Sequence, residues 1–158
     1  MEYKEFYKLI YPVMEIAIQE AKEFKDRFGE VPYLIRSSSI NQVESFEESE
    51  KIEIPEFYRR FLVDFNPNGF EIMFNGIFGI EEIKDNLKFM AKLEVPLDGL
   101  ITVASDGSGN LYGIKPENEW LYFLDHESGF EIMESERIRD FYVNLVEQKL
   151  ERAKRKNE

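Results

Sequence analysis

This 158-residue sequence predicts an α+β domain in which a central antiparallel sheet is flanked by N-terminal helices and a C-terminal helix. Three observations lead there. Apolar residues recur three and four apart before Gly69 and again after Ser135, which is helical spacing. Between Phe70 and Glu134 the period falls towards two, the signature of strands with one buried face. The links between the last four strand-like runs are too short for parallel crossovers, so those strands must lie antiparallel.

Val13, Ile16, Ala17, Ala21, Phe24 and Phe28 mark a first amphipathic helix, with Pro12 suited to its start and Gly29 to its stop. Ser39 with Gln42 three residues later reads as a capping box for a second helix reaching Glu50. Pro55 fits the first turn of a third, whose face is Phe57, Tyr58, Phe61, Leu62 and Phe65, and Asn66-Pro67-Asn68-Gly69 stops it. Phe70 to Phe74 and Ile77 to Ile80 read as short strands around an Asn75-Gly76 turn. Ile83, Leu87 and Met90 place a helix over Glu81 to Leu93. A meander follows over Leu100 to Ala104, Asn110 to Ile114, Glu119 to Leu124 and Phe130 to Glu134. Ser135 is then placed to cap a last helix carrying Ile138, Phe141, Tyr142, Leu145, Val146 and Leu150. No internal repeat is evident, so residues 1–158 read as a single domain, with 1–36 as a helical extension and 39–150 as its core.

With 43% apolar residues, 14 Phe and 8 Tyr, the chain has a core to bury, and a domain of this size hides roughly 70% of its unfolded surface. The absence of Cys excludes disulfide scaffolds, zinc ribbons and iron–sulfur centres. The start Met1-Glu2-Tyr3-Lys4-Glu5 lacks the basic and apolar regions of a secretion signal, and no long uncharged apolar run follows, so the expectation is a cytoplasmic protein without a membrane partner. The formal charge is −12; the last ten residues carry +3, leaving −15 on residues 1–148. That field repels nucleic-acid backbones and favours a basic protein surface, although acidity alone also serves solubility.

The single His126 bounds imidazole chemistry: no nucleophile-elbow pattern accompanies it, and its place beside Asp125 suggests a turn organised by hydrogen bonds. Asp106, Ser108 and Asn110, with Glu117 further on, superficially follow a calcium loop, but Leu111 stands where such loops need Gly and strands flank the segment. A hairpin turn carrying Gly107 and Gly109 is the expectation, with no cofactor and no metal. The acidic run Glu44, Glu47, Glu48, Glu50, Glu53 and Glu56, with Lys51 its one basic member, is the candidate partner surface, Glu44 to Glu53 and Trp120 being its proposed contact residues.

A helix carrying the acidic Glu44, then Ile54 to Leu62 with Pro55, Asn68-Gly69, the stretch Ile101 to Tyr112 containing Asp106, Gly107, Gly109 and Asn110, Leu124 to Glu127 with Asp125 and His126, and the Phe141 helix, in that order, resemble the SUKH (Smi/Knr-type) superfamily. The resemblance covers about Ser39 to Leu150 and leaves the first helix outside; the lone Gly69, where members often carry two glycines, departs from the pattern. It implies an α+β fold without catalytic residues, in which Pro55, Phe61, Leu62 and the glycines are structural. Many bacterial members are immunity proteins that neutralise a cognate toxin domain, often a nuclease, and others are intracellular regulatory interaction modules. The expected partner is therefore a toxin domain or another basic protein. A carboxylate-dependent enzyme is the remaining alternative.

Overall fold

The first helix begins nine residues before Pro12. In the computed structural model, which describes residues 1–30, 34–68, 77–116 and 118–158, α1 runs Tyr3–Phe28 with Pro12 inside it. An internal proline costs about 3 kcal/mol, because it removes a backbone donor and crowds the preceding turn. Burial on both sides of it offsets that cost: Phe6 and Ile10 before, Val13, Met14 and Ala17 after. Pro12 is thus a mid-helix residue, correcting the expected start. Gly29, at φ +79°, ends the helix as its spacing predicts, its N–H bonded to the Lys25 carbonyl. Beyond Ala21 the helix leaves the core, and Phe28 is 59% exposed.

Strand β1 (Leu34–Ile35) pairs antiparallel with β2 (Pro67–Asn68). Between them, Ser39 and Gln42 exchange reciprocal bonds of 3.1 and 2.8 Å, the predicted capping box, to open α2 (Ile40–Glu50). Pro55 immediately precedes α3 (Glu56–Asp64), which buries Phe57, Tyr58, Phe61 and Leu62. Gly69 and the Phe70 to Gly76 half of the predicted hairpin lie outside the described residues. Of the other half, residues 77–79 form no strand among the described residues, and Ile80 already opens α4 (Ile80–Lys92). The reason is tertiary. Phe78 N–H bonds to the Val103 carbonyl, while the buried Tyr58 hydroxyl donates to the Phe78 carbonyl at 2.6 Å, so this segment is pinned beside the sheet by single contacts.

The sheet has the order β3 (Ile101–Ser105), β4 (Leu111–Ile114), β5 (Trp120–Asp125), β6 (Glu131–Arg137), all antiparallel neighbours. Its last strand is longer than its alternation suggests. Ser135 lies within β6 rather than capping the final helix α5 (Ile138–Lys156). Arg137 is the extended residue before α5, and the Ile138 N–H is satisfied by the Glu119 carbonyl across the sheet. A cross-strand bond here replaces a side-chain cap.

Tyr112, Phe123 and Met133 stand opposite one another across β4, β5 and β6 and so share a face, on which Phe141 of α5 meets Tyr112 at 4.9 Å. Leu111, Leu124 and Ile132 share the opposite face. Helix α1 packs on α3 and α5, and α4 on β3. At the centre the Phe6 ring meets Phe57, Phe61 and Tyr142 edge-on at 5.1, 5.6 and 4.8 Å. The first helix is consequently part of the core and not an appendage to it. No helix of the described residues is long and apolar enough to cross a membrane.

Candidate protein-binding surface

The capping box sets the rotation of α2, and with it which carboxylates reach solvent. Val43 and Phe46 turn inward, so Glu44 and Glu48 are exposed, Glu50 is half-buried, and Glu53 is exposed in the link to α3. Glu47 is different: only 8% exposed, it accepts the Ile54 N–H at 2.7 Å and an Arg59 N–H at 2.9 Å through Oε1. It ties the end of α2 to the start of α3. The guanidinium of Arg59 is pushed further towards its charged form, first by that hydrogen bond and then by the nearby carboxylates, against the opposing effect of burial. Glu56 meets both Arg59 and Arg60, at 3.2 and 2.8 Å. Of the acidic run, Glu44, Glu48, Glu50 and Glu53 therefore remain facing outward, with Lys51 between them.

Beside this face a cavity of about 440 Å³ opens between the α3 start and the β4–β5 connection, with Glu53, Glu56, Pro116 and Glu119 among its walls. Two of these carboxylates are engaged by cations, Glu56 by the two arginines and Glu119 by Arg137 at 2.7 Å. The Arg137 guanidinium also lies over the Trp120 ring, 5.2 Å from its centre. Trp120 is half-buried at the start of β5, opposite Arg137 of β6, its backbone N–H donated to Asn118 Oδ1.

Asp106 builds the β3–β4 turn. Its Oδ1 accepts the N–H groups of Ser108 and Asn110 at 2.8 and 3.2 Å, and its Oδ2 accepts the Asn110 side-chain amide at 2.7 Å. Burial acts to raise its pKa, but these donors together outweigh it and hold the carboxyl below its usual value. Asn110 Oδ1 in turn takes the His126 backbone N–H at 3.0 Å and lies 2.7 Å from His126 Nδ1. Gly109, at φ +98°, passes under the imidazole; a Cβ there would lie 3.3 Å from the ring. Asp125 does not orient His126: its Oδ1 caps the Glu127 N–H at 2.9 Å, and the neighbouring Ser128 hydroxyl donates to the Asp125 carbonyl. Asp106, Asn110 and His126 thus join two turns at one end of the sheet. Among the described residues no three His, Asp or Glu side chains gather as a metal site.

One acidic stretch escaped the sequence reading. Asp125, Glu127, Glu131, Glu134 and Glu136 fall within residues 125–136, which contain no Lys or Arg. Asp125 ends β5 and Glu127 lies in the turn that follows, while Glu131, Glu134 and Glu136 line the sheet's outer strand. Comparison with family models, with curated proteins and with solved structures returned no match.

Proposed function

We propose that this chain is a non-catalytic protein-binding module, an immunity protein of the kind implied by its resemblance to the SUKH superfamily, which neutralises a cognate basic toxin domain of nuclease type. The observation that carries the reading is the division of labour among the acids of α2 and α3. Glu47 and Glu56 engage the arginines, and Glu44, Glu48, Glu50 and Glu53 are left facing outward on a molecule of net charge −12. Such a field accelerates encounter with a basic surface and rejects acidic competitors. A nuclease groove built to hold phosphates presents that basic surface.

The test begins with affinity capture from the source cell's lysate and culture supernatant at low and high salt, with mass-spectrometric identification. It is decided by kinetics with the purified partner. Replacing Glu44, Glu48, Glu50 and Glu53 together by Gln is expected to slow association by about tenfold at low salt and to flatten its salt dependence, while dissociation changes little. Unchanged association and salt dependence would exclude this patch. Repeated recovery of a cytosolic enzyme or scaffold, with no exported basic toxin, would favour the regulatory-module reading instead.

A further inference from the structure

Among the described residues the sheet ends on an open strand. β6 bonds along one side to β5, and none of its residues makes a backbone hydrogen bond outside that ladder among the described residues. Seven residues span about 23 Å, and alternate residues of such an edge direct their N–H and C=O groups outward. An edge of this length is a template for another strand, and proteins commonly cover, shorten or charge theirs. Here it is charged with one sign. Glu131 and Glu134 are exposed and Glu136 half-buried, and none of the three has an ion-pair partner among the described residues. Arg137, at the end of the strand, is drawn back to Glu119 and Trp120, and Lys149 and Arg152 line the cleft that Glu136 enters.

The carboxylates serve both faces of the edge. Glu131 and Met133 lie on the side of Phe123, Glu134 lies opposite Tyr122 on the other, and the bulge between the Tyr122 and Trp120 pairings returns Glu136 to a cleft shared with Tyr112 and Asp106. Met133, 44% exposed between the acids, supplies the apolar contact. A second copy of the same strand would set two rows of the same sign against each other, which is unfavourable across a ladder. A strand with Lys or Arg at alternate positions turns them all to one face, where they would meet Glu134 on one side of the sheet or Glu131 on the other, and it would complete the outward hydrogen bonds.

We infer that β6 is a docking edge for an extended, Lys/Arg-bearing segment of a partner protein, which adds as a fifth strand to the β3–β6 sheet. The inference shares with the proposed function only the sign of the partner's charge; the surface is separate from α2, so either can fail alone.

The probe is an acetylated seven-residue peptide alternating Lys with Val, titrated into the full chain and followed by backbone amide NMR. Binding is expected to shift and protect amides of Glu131–Arg137. Replacing each Lys of the peptide by Glu is expected to weaken binding by about tenfold or more. N-methylating the peptide at one set of alternate amides is expected to weaken it by about a hundredfold, and at the other set hardly at all, because only one set faces the edge. The edge variant Glu131→Gln/Glu134→Gln/Glu136→Gln, checked for folding by circular dichroism, is expected to lose about tenfold and most of the salt dependence. Absence of binding, shifts confined to α2, equal tolerance of both N-methylation patterns, or a dimer formed through β6 in sedimentation would each overturn the docking edge. If the edge fails while the α2 glutamines still slow association with the captured partner, the proposed function stands without it.

Discussion

Glu47 and Glu48 are adjacent, alike in sequence and opposite in role. Glu47 accepts from the Ile54 N–H and from Arg59 in a nearly buried position, whereas Glu48 points to solvent. Removing Glu47 leaves a backbone donor and a guanidinium without their acceptor, so Glu47→Ala is expected to cost about 2–3 kcal/mol in urea unfolding. Glu48→Ala is expected to stay within about 0.5 kcal/mol. A neutral Glu47→Ala would show that Arg59 finds Glu56 alone sufficient. Asp106 allows a second, pH-resolved test. Its folded pKa is depressed, so the stability it contributes is present above its unfolded value of 3.8 and is lost as pH falls through the folded value. Asp106→Asn sets an amide donor against the Asn110 amide and is expected to cost about 1–2 kcal/mol at pH 7. The gap between wild type and variant should narrow once the pH drops below about 4, as measured by denaturant titration at both pH values.

At the scale of elements, α1 bears the heaviest packing load. Phe6 is 1% exposed and its ring joins α1 to α3 and α5, so Phe6→Ala is expected to cost about 3–5 kcal/mol and to lower the unfolding midpoint of the whole domain in one transition. A separate early transition, with the rest intact, would show that the helix is a detachable unit. Elements whose signals are local are legible in the sequence. The Ser39–Gln42 box opens α2, the period of the third helix survives in α3, and the short turns of the meander dictate the β3–β6 order. The misreadings share a cause: a distant contact overrides a local preference. Packing before and after Pro12 carries α1 through a residue that ordinarily breaks a helix. The Glu119 carbonyl satisfies Ile138, which frees Ser135 from capping and lengthens β6. Tyr58 and Val103 hold Phe78 where alternation suggested a hairpin strand. The candidate surface shows the same limit, because the run from Glu44 to Glu56 is visible as charge but not as partnership. That Glu47 is the member buried depends on the Ile54 N–H and on Arg59, which reach it from beyond the link between α2 and α3.

For the whole molecule, the excess of carboxylates acts on folding and on association with opposite signs. At neutral pH a net charge of −12 on a compact body opposes the folded state, since unfolding separates like charges, and the seven ion pairs among the described residues are mostly exposed and individually weak. Salt shortens the reach of that repulsion to about 10 Å at 0.1 M. Raising sodium chloride from about 0.02 to 0.5 M at pH 7 is therefore expected to raise the Tm by about 2–4 °C, the response to roughly 1 kcal/mol in a domain of this size. Near the isoelectric point of about 4.7 the net field vanishes, and the same salt increment should leave the Tm almost unmoved. Association with a basic partner should weaken over the same salt range, because screening removes an attraction there instead of a repulsion. Differential scanning calorimetry and stopped-flow association, run on the same samples, separate the two responses. If salt lowers both, the surface charge is organised into pairs that hold the fold together, and the carboxylates of α2 and β6 are spent within the molecule instead of facing a partner. Opposite slopes are what a field directed outward requires.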